Sequence, residues 1–190
     1  MGNFQSNVVG PIGGNSDGSV PISIENKYTY RYAALANTPA ATPTDFITIQ
    51  GAAGRTVKIK SIRLGGIATT AGLLTAQIVR RSAANTTGTF SAVAAVKHDV
   101  NDPSPLATVN LYTVNPGGLG TLVGPLAVNR VWLPLTTSQN AMTLFDFSTR
   151  MDKALVLRGI SDFICINFNG AAVPAGGVLD FEIETEEDAS

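Results

Sequence analysis

The chain has 190 residues, of which 44% are hydrophobic and only 14% charged, against roughly a quarter charged in an average soluble domain. Thirteen Lys and Arg against fourteen Asp and Glu leave a net charge of -1, so no global basic field exists to hold nucleic acid, and the apolar composition excludes an intrinsically disordered chain. A length of this order fits one domain able to bury a full core without disulfide staples.

Residues 1–19 are rich in Gly, Asn and Ser with no sustained period, and predict a flexible arm that orders only against a neighbour. The opening stretch has neither a basic leader nor an apolar core of secretory length. Met1, Gly2 and Ser6 fit the loose myristoylation pattern, but no basic second signal accompanies them. No apolar stretch is long enough for a helix to span a bilayer, which predicts a protein made in the cytosol without membrane contact. From Val20 onward, β-branched and aromatic residues alternate with polar ones between Gly, Pro, Asn and Thr clusters, the pattern of a single β domain over 20–190.

Tyr28, Tyr30 and Tyr32 share one face of the first strand. The strand 46–49 follows and ends at the turn 51–54. In 55–65, Val57 and Ile59 have one parity while Ile62 and Leu64 have the other. A period-2 strand cannot keep all four inward, so the switch around Lys60-Ser61 predicts a β-bulge or a bend between two sheets. Further strands are predicted at 73–81, 92–98, 106–113, 128–133, 142–147, 154–157, 162–168 and 178–185, and one helical turn at 148–153. In the last strand Asp180, Glu182 and Glu184 alternate with Phe181, Ile183 and Thr185, giving one wet face that runs into an acidic tail of Glu186, Glu187 and Asp188. About a dozen short strands predict an all-β fold, an antiparallel two-sheet β-sandwich. The loops 82–88, 99–105 and 115–124 are too long for a simple meander, which makes the expected sandwich jelly-roll-like.

No catalytic, cofactor or metal site emerges, and the chain reads as a non-enzyme. Cys165 sits in an apolar run and the sole histidine, His98, is far from it in sequence. His98, Asp99, Asn101 and Asp102 form the one local group of metal-ligand types, yet EF-hand spacing is absent and a polar turn stopped by Pro103 explains them. The run Pro116-Gly117-Gly118-Leu119-Gly120 lacks the Lys-Ser or Lys-Thr of a phosphate loop and reads as a flexible connection. Arg55, Lys58, Lys60 and Arg63, with Arg80-Arg81, offer either the solvated side of a half-buried sheet or a phosphate- or capsid-contacting patch. Asn85-Thr86-Thr87 is a formal sequon without a secretory signal. Tyr28, Tyr30, Tyr32 and the sole tryptophan, Trp132, are the candidate interaction surface, able to stack on sugar rings, against a default of packing at an interface or in a core.

The segments Tyr30-Arg31-Tyr32-Ala33-Ala34-Leu35, Thr38-Pro39-Ala40-Ala41-Thr42-Pro43-Thr44-Asp45-Phe46, Arg80-Arg81-Ser82-Ala83-Ala84-Asn85-Thr86, Val156-Leu157-Arg158-Gly159-Ile160-Ser161-Asp162-Phe163 and Val173-Pro174-Ala175-Gly176-Gly177 resemble a group of small virion proteins of tailed bacteriophages, over most of 28–186. The resemblance implies a β-sandwich subunit repeated on the particle, as a capsid decoration (cement) protein or the base of a head fibre. Its implied partners are the major capsid protein, other virion proteins and its own copies, with a homotrimer expected. It transfers no functional residue. A receptor- or carbohydrate-binding module of a fibre, tail or baseplate is the second reading, and a hydrolase using His98 the third.

Overall fold

A computed structural model describes residues 27–138, 142–148 and 154–189. The arm predicted at 1–19 and the helical turn predicted at 148–153, apart from Ser148, lie outside the described residues. Twelve strands are described: β1 (Lys27–Asn37), β2 (Asp45–Gln50), β3 (Arg55–Ile67), β4 (Gly72–Arg81), β5 (Thr89–Ala92), β6 (Ala95–Lys97), β7 (Thr108–Val114), β8 (Leu122–Leu133), β9 (Thr143–Asp146), β10 (Leu155–Arg158), β11 (Phe163–Asn167) and β12 (Val178–Ala189). They form two six-stranded sheets. The first has the order β10-β3-β12-β1-β6, with β9 also on β3, and the second β5-β7-β2-β11-β4-β8. Every strand pairing is antiparallel, so the predicted two-sheet β-sandwich is the architecture.

The inner faces follow the period of two. Tyr30 and Tyr32 of β1, Ile62 and Leu64 of β3, and Phe181 and Ile183 of β12 meet Ile47, Ile49, Ile78, Ile164 and Ile166 of the second sheet in one core. Phe181 packs edge-on to Phe46 at 6.4 Å between ring centroids. The strand predicted at 92–98 is broken: Ala92 is the last residue of β5 in the second sheet, and only 95–97 form a strand of their own, β6 in the first. Between them Val93 donates its N–H to the Val109 carbonyl and packs against the core, so the chain changes sheets where a single strand was expected.

The bulge predicted at Lys60-Ser61 is present. Along β12, Glu184 faces Ser61 and the next residue, Thr185, faces Ile59, leaving Lys60 as the extra residue. Val57 and Ile59 before it and Ile62 and Leu64 after it are all buried. On the other edge of β3, β10 pairs with residues 56–59 and β9 with residues 61–64. The carbonyl of Lys60 accepts the N–H of Phe147 between these two partners. One inserted residue thus resets the parity and divides the edge.

The acidic residues predicted as a tail belong to β12, which continues through Ala189 in the middle of the first sheet. Neighbouring cations make this placement tenable. On the outer face, Arg31 of β1 pairs with Glu182 and Glu184, and Arg63 of β3 with Glu182. Glu186 gathers Lys27 at 3.7 Å and Lys58 and Lys60 at 3.3 Å, and Lys58 also pairs with Asp188. A central acidic strand between two basic strands places opposite charges directly across the ladder.

Burial alone would raise the Glu186 carboxyl, but the hydrogen bond from Lys58 and the charge of Lys60 outweigh it and hold the group below its ordinary value. A depressed carboxyl contributes stability that is present above its unfolded pKa and lost as pH falls through the folded one. Glu186→Gln is therefore expected to lower the stability measured by urea unfolding at pH 7 by about 1 kcal/mol. The difference from the parent should vanish below the depressed pKa.

Candidate functional site

The tyrosine face selected from the sequence is not a surface. Tyr30 and Tyr32 are 0% and 1% exposed, because β1 presents that parity to the core. Their hydroxyls emerge at one end of the sandwich and donate to the carbonyls of Pro103 at 2.9 Å and Ala107 at 3.2 Å. Burial and the nearby Glu187 carboxylate both push the Tyr32 hydroxyl well above its ordinary range. Tyr28 is half-buried, with the Arg55 guanidinium 5.2 Å from its ring centroid. Trp132 lies on β8 of the other sheet and is 49% exposed, so the structure does not bring it together with the tyrosines.

Glu187 explains why the tyrosine end is closed. It is fully buried on the inner parity of β12 and pairs with Arg55 at 2.9 Å. Its oxygens accept the N–H groups of Leu106 at 3.0 Å and Ala107 at 2.9 Å, fixing the chain that enters β7. Such a carboxylate is retained because each bond replaces water it has lost. Arg55, Lys58, Lys60 and Arg63 all have carboxylate partners on β12, while Arg80 pairs with Asp162 and Arg81 with Asp45, so the predicted basic patch is internally neutralised. In the predicted metal-ligand group, Asp99 Oδ1 accepts from the backbone and side-chain nitrogens of Asn101, an Asx turn.

The outer face of the second sheet holds a second buried polar centre. Arg81 of β4 donates through Nε and Nη2 to the two Asp45 oxygens at 2.6 and 2.9 Å, and through Nη1 to the Gly120 carbonyl at 2.8 Å. The side-chain amides of Asn85 and Asn167 complete the Asp45 carboxylate. Asn85 also accepts the Gly120 N–H at 2.8 Å, so the sequon asparagine is committed to the fold. The glycine run predicted as a flexible connection lies against 82–88. Thr86 and Gly118 form a β-bridge, and Gly117 donates to Thr87 Oγ1. A Cβ on Gly120 would overlap the Ala83 carbonyl oxygen, so glycine here permits close approach of two backbones. Cys165 lies beside this centre. Burial, reinforced by Asp45, pushes its thiol well above the ordinary range against the pull of Arg81, leaving a poor nucleophile.

Two features of this sheet face outward. Next to the paired loops, a cleft of about 140 Å³ opens between β7, β2 and β5, lined by Thr48, Gln50, Asn85, Phe90, Asn110 and Tyr112 over a floor of Phe163 and Cys165. At the opposite edge runs β8, where Leu122, Val123, Leu126, Val128 and Trp132 are all exposed, with exposed Leu73 of β4 directly opposite Trp132. Arg130 is the one charged residue in this strand. Register shifts opposite Val79 and Arg81 leave Leu126 and Val123 as extra residues on β8. These bulges and Pro125 blunt the edge against strand addition while presenting apolar side chains.

Of the residues selected from the sequence, only Trp132 is presented outward by its strand without a core role. Phe90 and Asn110 were missed because nothing in a single sequence says that short edge strand β5 and strand β7 bring them side by side. No protein-family model matches the chain, no curated protein is significantly similar to it, and no solved structure matches its fold.

The Asp45–Arg81 pair should hold both loops. Arg81→Met, which leaves Asp45 buried without its cation, is expected to cost about 3–5 kcal/mol in urea unfolding. Adding Asp45→Asn should recover part of that loss. Hydrogen exchange should quicken at 82–88 and 115–121 in the single variant before it does in β12.

Proposed function

We propose that the chain is a non-enzymatic structural subunit of a tailed-bacteriophage virion, of the capsid decoration or head-fibre-base type. It binds the head shell and its own copies, a trimer being the expected assembly, and it contacts neither nucleic acid nor membrane directly. The resemblance of 28–186 to such proteins supports the virion setting. The observation that carries the binding role is the apolar strip of β8 with Leu73, six exposed large hydrophobic side chains accompanied by one charge. A strip of this kind on a soluble chain marks a contact surface, and its low charge fits the depletion of charged residues at interface cores. Symmetric copies use one such surface repeatedly. The subunit assembles in the host cytoplasm and resides in the virion.

Two measurements test this reading. Val128→Lys combined with Trp132→Ala is expected to convert an oligomer, sized by sedimentation velocity, into a monomer with an unchanged far-ultraviolet circular dichroism spectrum. An electron-microscopy map of particles from the encoding phage is expected to show the sandwich in symmetric copies on the shell or at a fibre base. A parent chain that is strictly monomeric at high concentration and missing from particles would overturn the proposal.

A further inference from the structure

The cleft beside β5 is uncharged, polar and partly aromatic, and the core does not account for it. Its walls stand on the outer face of the second sheet, where Thr48 faces Asn110 and Gln50 faces Thr108 across β2 and β7. Phe90, opposite Tyr112 on edge strand β5, is 51% exposed, and the two rings lie tilted with centroids 5.2 Å apart. An aromatic ring half open to water beside amides and hydroxyls gives an apolar plane next to hydrogen-bonding groups.

The hydrogen-bond count leaves capacity in this cleft. Asn110 makes no side-chain hydrogen bond among the described residues, so its two N–H donors and its carbonyl oxygen are free for a ligand. Gln50 donates one N–H to the Ile160 carbonyl at 2.7 Å and accepts from Thr108 at 3.1 Å, which leaves its second N–H. Asn85 is anchored by Asp45 and Gly120, so the loop wall is held in place before any ligand arrives. None of the lining side chains is charged, and the neighbouring Asp45 and Arg81 neutralise each other. A phosphate or carboxylate ligand would find no cation here. A neutral polyhydroxylated ring, with an apolar face and a rim of hydroxyls, matches both the ring and the amides.

We propose that the cleft binds one neutral sugar ring, its apolar face laid on Phe90 and its hydroxyls held by the Asn110 and Gln50 amides. The volume admits a single ring rather than a long chain. The site lies toward the β5 end of the sheet, away from β8, and does not depend on the assembly reading.

The test is a nuclear magnetic resonance titration of the 15N-labelled full chain with three probes: methyl β-glucopyranoside, methyl β-galactopyranoside and methyl N-acetyl-β-glucosaminide. At least one is expected to give saturable shifts centred on the amides of residues 48, 50, 85, 90, 110 and 112. Phe90→Ala and Asn110→Ala should each weaken binding about tenfold, and Val96→Ala on the other sheet should leave it unchanged. Glucose 6-phosphate should bind no tighter than the neutral probes. The absence of saturable shifts with all three probes, shifts centred elsewhere, parent-like binding by the two cleft variants, or preference for the phosphate would each overturn the proposal. The shift map of the parent chain decides the matter if either variant fails to fold.

Discussion

Strand β12 lies in the middle of the first sheet carrying Glu182, Glu184, Glu186 and Asp188 on its outer side and Phe181, Ile183, Thr185 and Glu187 on its inner side. A strand so acidic can be central only where both neighbours supply cations, and β1 and β3 do so with Lys27, Arg31, Lys58, Lys60 and Arg63. Surface pairs of this kind are individually weak. As a ladder, with Glu186 shared among three lysines, they fix which strands can flank β12. The bulge at Lys60 belongs to the same arrangement, since it keeps both halves of β3 in contact with β12 while their buried faces change parity. Because a large share of the chain's few charges is consumed in this ladder, the second sheet is left with a weakly charged exterior.

That exterior is organised by one buried ion pair. Asp45 and Arg81 would each be costly alone beneath the loops. Together with Asn85, Asn167 and the Gly120 carbonyl they satisfy one another and fasten two loops onto the sheet. The fastened loops form a fixed wall beside β7 and β5. The far edge of the same sheet, β8, carries apolar side chains and no comparable polar cover. The two ends of the sheet therefore present different chemistry, amides and an aromatic ring at one and aliphatic groups with a tryptophan at the other.

Much of the fold was legible in local pattern. Alternation placed most strands, and the clash of parities between Val57, Ile59 and Ile62, Leu64 pointed to a bulge or bend around Lys60-Ser61, of which the pairing with β12 selects a bulge at Lys60. What local pattern could not supply was the identity of the neighbours. Tyr30 and Tyr32 share a face in the sequence whether that face is core or surface, and only the opposing sheet makes it core. Glu186 to Asp188 look like a solvated tail until the cations of β1 and β3 are placed beside them. Gly117, Gly118 and Gly120 look like freedom, whereas the residues 83–87 lying against them turn the same lack of a side chain into close packing. Phe90 and Asn110 are ordinary in sequence, and their cleft exists only through the pairing of β5 with β7 and of β7 with β2.

In the proposed assembly the charges are paired within the first sheet, and adhesion between copies is apolar and resides on the second. Sedimentation velocity of the full chain at low and at molar sodium chloride tests it most directly, since salt screens charged contacts but does not weaken burial of apolar surface. An oligomer that persists or strengthens in high salt is expected. A chain that is monomeric throughout, or an oligomer that dissociates as salt rises, would contradict it.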